Sequence, residues 1–300
     1  MSDEVDLEQL MQDSQVPYAM ASEPPLSFRA EGYDYDHEVL VTLPPSHSVA
    51  PDRSYPVLWA MDGPMMHALV AGIVNVYTMG RRVPETIVVS VGHAAAQGMA
   101  GFGKREFDLH PPGSLIGNDE LAERILTAGS GAALLKMSES FKGDRFLAFL
   151  VDQLRPALTE RYRMNDDHAL MGHSSGGYFT GFALFARPGA FSRYLIGSGT
   201  HPHTLELEAE YAASHDDLPA RVFLGGGAGE VDNVDLSASR IVSRTVFLAE
   251  NLRMRRYPSL ALKTQLYADR DHFTVMPPMF ADGLQYLYAD EAAKLPQLPA

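Results

Sequence analysis

Ser174, Glu230 and His272 are the residues of this 300-residue chain whose types and order could do covalent chemistry. Ser174 lies in Gly172-His173-Ser174-Ser175-Gly176, after the apolar run Ala169-Leu170-Met171 and before a stretch, Tyr178 to Phe185, that reads as a helix. A serine between glycines on a sharp strand-to-helix turn is a nucleophile elbow. Its hydroxyl is weakly nucleophilic at neutral pH and needs a base within hydrogen-bond reach. His272 follows the last predicted strand and is the candidate base. Glu230 follows an earlier one, in Gly225-Gly226-Gly227-Ala228-Gly229-Glu230, and is the candidate acid that orients the imidazole. Asp232 and Asp235 share that loop and are its rivals. Such a set attacks a carbonyl, passes through an acyl-enzyme and releases it to water.

The transition state of that reaction carries an oxyanion and needs two backbone donors. Ser175 N–H, directly after the nucleophile, is one. The second is expected from Asp62-Gly63-Pro64-Met65, after an early strand. Pro64 has no N–H, so the donor is Gly63 or Met65, and Met65 is the expected one. Two further groupings resemble metal sites. Glu230 to Asp235 alternates oxygen ligands but lacks the glycine and distal glutamate of a calcium loop. His201-Pro202-His203 lacks visible further ligands and is expected at the crevice rim. No metal and no cofactor is expected.

The elements that must position these residues alternate between two periods. Pro56–Met61 and Thr86–Val91 are near-continuous apolar runs, as in strands buried on both faces. Helices are predicted over 65–79, 145–162, 237–252 and 277–289, with further strands at 194–198, 221–225 and 261–267. That alternation predicts an α/β fold with a mostly parallel central sheet and helices on both faces. Parallel strands end at one edge, where Ser174, Glu230 and His272 would meet. Leu26–Ala30 and His37–Leu43 predict an antiparallel pair. Residues 1–26 read as a loose leader, and 101–143 as an irregular lid or pocket wall with a short helix at 121–126. Trp59 is assigned to the sheet core. The whole chain, 1–300, is expected to form one domain.

Charge and composition narrow the partners. A formal net charge of -14 disfavours nucleic acid and anionic membrane surfaces. The chain has no cysteine, which excludes disulfides and a thiolate nucleophile. The acidic N-terminus lacks the basic and apolar regions of a signal peptide, and no apolar run approaches a membrane span, so a cytoplasmic location is expected.

From about residue 38 to 290 the chain resembles the esterase-D-like, or "putative esterase", family of α/β-hydrolases, which includes ferric-siderophore esterases and S-formylglutathione hydrolases. The resemblance runs through Val41-Thr42-Leu43-Pro44, Asp62-Gly63, Arg105-Glu106-Phe107-Asp108-Leu109-His110-Pro111, the elbow with Pro188 and Phe191, and Asp271-His272-Phe273-Thr274-Val275-Met276-Pro277. It implies an α/β-hydrolase fold, serine carboxylic-ester hydrolysis of a small-molecule ester, Ser174 as nucleophile, His272 as base and an acid at or near Glu230. Acyl transfer or thioester cleavage on the same triad is the alternative. The resemblance also brings Arg105 to the substrate crevice, beside His173 of the elbow, where its fork of donors could hold a substrate oxygen. A structural ion pair between Arg105 and Asp108 is the competing reading.

Overall fold

The computed structural model describes residues 16–112, 114, 139–233 and 240–295. Their centre is a nine-stranded sheet. The strands are β1 (Ala21–Ser22), β2 (Leu26–Phe28), β3 (His37–Leu43), β4 (Tyr55–Met61), β5 (Ile87–Gly92), β6 (Met164–His173), β7 (Arg193–Gly197), β8 (Arg221–Gly227) and β9 (Ala261–Tyr267). Their spatial order is β1-β3-β5-β4-β6-β7-β8-β9, with β2 also on β3. β1 and β2 pair antiparallel with β3, and β3 with β5. From β5 to β9 every pairing is parallel.

The α-helices among the described residues are α1 (Gly63–Met79), α2 (Gly98–Leu109), α3 (Gly143–Ala148), α4 (Arg155–Thr159), α5 (Ser175–Ala186), α6 (Pro202–Ala212), α7 (Ile241–Arg255), α8 (Met276–Leu287) and α9 (Ala289–Ala292). Strand residues alternate between two cores, as the period of two requires. Val57, Trp59 and Met61 face one core with Phe146 of α3, Phe179 of α5 and Leu248 of α7. Leu58 and Ala60 face the other with Val70 of α1 and Phe280 of α8. Trp59 is fully buried, and its indole N–H donates to His168 Nδ1 at 3.2 Å. None of the described helices is long and apolar enough to cross a membrane.

Three expectations change. The leader is pinned from residue 20 onward: Met20 N–H donates to Asn75 Oδ1 at 2.9 Å and β1 adds to the sheet edge. The helix predicted over 145–162 is α3 and α4 joined by a π-helical stretch, Phe149–Leu154. Pro156 has no N–H to donate, and the widened turn before it absorbs the missing bond. Residues 98–109, expected as an irregular loop, form α2. Its glycines weaken it in isolation, but Asp108 and Leu109 are buried against the body of the protein and outweigh that penalty. Residues 115–138, including the predicted helix at 121–126, lie outside the described residues, as does Asp235.

Candidate active site

β6 delivers Ser174 to the sheet edge. Its backbone sits at φ 58°, ψ -124°, a conformation disfavoured for a residue with a Cβ, at the junction with α5. Close packing explains the glycines. A Cβ on Gly172 would lie 2.2 Å from the Gly176 backbone, so any side chain there would force strand and helix apart. Ser174 N–H donates to Gly197 O at 2.9 Å, and Tyr178 N–H to Ser174 O at 2.8 Å, which tie the elbow to β7 and start α5.

β8 delivers Glu230. Its carboxylate is 1% exposed, on a short 3₁₀ turn after the strand. Glu230 Oε1 accepts from Ser198 Oγ at 2.6 Å and from Gly227 N–H at 3.2 Å, and lies 3.5 Å from His272 Nδ1. Asp232, the rival within the described residues, is exposed at the end of the same turn. Ser198 is a site residue that sequence reading missed. It appeared only as the end of a strand, and its hydroxyl reaches Glu230 because β7 and β8 are parallel neighbours.

β9 delivers His272, which is 8% exposed. Its ring packs on His173 with centroids 4.5 Å apart, so the candidate base lies against the residue preceding Ser174. His173 is buried, and burial, together with nearby His272, pushes its pKa down to about 3. It therefore stays neutral beside the His272 ring. Neither nitrogen of His173 makes a well-aligned hydrogen bond. His201 and His203 pack on Tyr178 of α5, with Tyr178 OH and His203 Nδ1 2.9 Å apart, at the side of the crevice.

The opposite wall comes from α1 and α2. Met65 N–H donates to Asp62 O at 3.0 Å, closing the first turn of α1. That bond engages the Met65 amide, the expected second oxyanion donor, within the helix. A cavity of about 250 Å³ opens beside this turn, lined by Pro64, Met65, Val91, Phe102, Arg105 and Phe146 among others. Arg105 reaches Asp62, not Asp108. Its Nη2 donates to Asp62 Oδ2 at 3.0 Å, and its Nε to Oδ1. Burial works against the Arg105 charge, and the carboxylates of Asp62 and Glu106 more than offset it, holding the guanidinium above its usual range.

Asp108 belongs to a separate group. His37 Nε2 and His93 Nε2 lie 3.0 and 2.7 Å from its Oδ2, and Tyr35 OH donates to Oδ1 at 2.6 Å. These three acidic or imidazole groups are the one set among the described residues whose ligand atoms could converge on a cation. Their separations are those of hydrogen bonds. The outer Nδ1 atoms of both histidines lack partners, whereas metal-bound imidazoles normally donate through that second nitrogen. The group is a buried carboxylate held by donors. Burial raises its pKa, and the bonds from His37 and His93 bring it below the usual range.

No family model matches the chain. The siderophore enterobactin esterase of Emericella nidulans is 24% identical to it over 228 residues, 67% of this chain and 71% of that protein. The siderophore triacetylfusarinine C esterase of Aspergillus fumigatus is 31% identical over 114 residues, 37% of this chain and 32% of that protein. Among solved structures, the siderophore hydrolase EstA of Aspergillus nidulans superposes with a TM-score of 0.72 at 21% identity, over 90% of this chain and 94% of its own. The chain has the esterase-like α/β-hydrolase fold. The IroE-like serine hydrolase of Shewanella oneidensis gives a TM-score of 0.71 at 21% identity, over 89% of this chain and 81% of its own. The α/β-hydrolase fold puts the parallel strand ends, and so β6, β8 and β9, at one edge.

Proposed function

We propose that the chain is a serine carboxylic-ester hydrolase with the triad Ser174, His272 and Glu230. The observation that carries this reading is the buried Glu230 carboxylate at His272 Nδ1, with the His272 ring packed beside the strained elbow. Ser174 Oγ attacks the ester carbonyl while His272 Nε2 takes its proton, and the same proton then passes to the leaving alcohol. Glu230 holds the ring with its proton on Nδ1 and stabilises the imidazolium. The 3.5 Å separation is slack that a bound substrate would take up, as the charge on the ring grows. Ser175 N–H and the Gly63–Met65 turn receive the oxyanion. Water, activated by His272, then cleaves the acyl-enzyme. No step calls for a metal or cofactor.

The cavity beside Met65 and Phe102 suits an uncharged part of the ester, since its lining is mainly apolar and the charged groups on it are already paired, Arg105 with Asp62 and Asp108 with His93. Arg105 and His173 form part of the substrate-facing wall. The names of the relatives make siderophore-type esters the first natural substrates to try. The test is hydrolysis of p-nitrophenyl acetate, butyrate and octanoate by the wild type and Ser174→Ala. A mutant-sensitive rate, with a fluorophosphonate adduct on Ser174 by peptide mass spectrometry, supports the reading. Equal slow rates for both proteins overturn it.

A further inference from the structure

Four side chains that the triad does not use form a continuous link across the mouth of the site. Arg105 forks onto both oxygens of Asp62, and its Nη2 also donates to the His173 carbonyl at 3.4 Å. Its Nη1 donates to Glu106 Oε1 at 2.5 Å. Glu106 accepts from Ser175 Oγ through both oxygens, at 2.9 and 3.2 Å. Asp62 immediately precedes the Gly63–Met65 turn, and Ser175 carries the other expected oxyanion donor. Two adjacent residues of α2 therefore connect the ends of β4 and β6.

The link also holds unusual backbone in place. Asp62 sits at φ 62°, ψ 44°, in the left-handed region that favours glycine. Its carboxylate passes over the start of α5, where a Cβ on Gly176 would lie 3.1 Å from Oδ2. The side chains of Arg105 and Asp62 are 10% and 4% exposed, so water competes little with the fork. A guanidinium already engaged by two carboxylates has little capacity left for a substrate anion.

We propose that Arg105 and Glu106 are positioning residues that set the distance between the two oxyanion donors, the Ser175 amide and the amide of the Asp62–Met65 turn. Oxyanion stabilisation requires both donors about 2.7–3.1 Å from the developing charge, so a small drift of either wall weakens the transition state while leaving ground-state binding alone. The proposal rests on the ester-hydrolase reading above.

The experiment compares wild type, Glu106→Gln, Ser175→Ala, Arg105→Lys and the Glu106→Gln/Ser175→Ala double variant on a p-nitrophenyl ester and on an alkyl trifluoromethyl ketone. The ketone accepts Ser174 Oγ to form a hemiketal whose oxyanion occupies the hole, with the serine proton moving to His272. Expected is a roughly 10- to 100-fold fall in kcat with KM within about threefold, matched by an equal weakening of ketone inhibition. The double variant should lose no more than the worse of its single changes, because both break one link. An active wild type with an unaffected Glu106→Gln, or a Glu106→Gln that changes KM alone, overturns the link. A wild type no faster than Ser174→Ala overturns the hydrolase reading, and the link's role with it. Glu106 is partly exposed, so its isosteric variant keeps the test available if Arg105→Lys does not fold.

Discussion

The two walls of the crevice are built by different means. On the β7–β9 side, Ser198, Glu230 and His272 each follow a parallel strand, and ladder pairing sets their spacing. A single buried carboxylate joins them. On the α1–α2 side the groups come from a strand end and a helix, and side-chain ion pairs set the spacing. Backbone pairing tolerates loss of one side chain better than a wall that side chains hold together. The first wall should therefore lose chemistry on mutation but keep its shape, whereas the second should lose shape first.

The largest break lies in the first wall. His272→Ala should cut kcat on a p-nitrophenyl ester by about 10⁴-fold or more with little change in thermal stability, read by steady-state kinetics and calorimetry. Glu230→Gln should cost about 10²–10⁴-fold, because an amide no longer enforces the imidazole tautomer, while Asp232→Asn should stay within about twofold. Equal effects at Glu230 and Asp232 would remove Glu230 from the triad. At the junction of the two walls, Gly172→Ala should lower unfolding stability by about 3 kcal/mol, measured in urea, because its Cβ meets Gly176 backbone at 2.2 Å. Ser198→Ala removes one donor to Glu230 and should lower kcat about tenfold, with pH dependence as the finer readout.

A further expected effect is a pH dependence of stability that leaves the chemistry aside. Burial, with Arg155 nearby, pushes the pKa of His168 down to about 4, and its Nδ1 accepts the Trp59 indole N–H. The unfolded chain then binds a proton below pH 6.5 that the native state refuses until about pH 4. Stability is unaffected above pH 6.5 and falls with acidification through that window, by about 1.4 kcal/mol per pH unit at most from this residue. His173 adds the same sign down to about pH 3. Urea titrations followed by Trp59 fluorescence at pH 7, 6 and 5 check this, and a flat profile would contradict buried neutral histidines.

The sheet, its flanking helices and the meeting of Glu230 with His272 were legible because each depends on local pattern plus topology. Apolar runs mark buried strands, and parallel strands bring their ends to one edge. Ser198 was hidden because its role depends on a neighbour in space 32 residues away. Helix α2 was hidden because its glycines argue against a helix and only burial of Asp108 and Leu109 argues for one. The partner of Arg105 is Asp62, 43 residues distant, and not Asp108 three residues along.

Sequence by itself determined the fold class, the nucleophile elbow with its spacing, and the candidates for base and acid, since these follow from residue type, periodicity and chain order. The tertiary structure decided that Glu230 is buried beside His272 while Asp232 is exposed, that the Met65 amide bonds Asp62 O in the first turn of α1, and that Arg105 pairs with Asp62 while His37 and His93 hold Asp108. Those choices depend on which side chains meet across the sheet and on which charges are shielded from water, and neither is a local property of the chain.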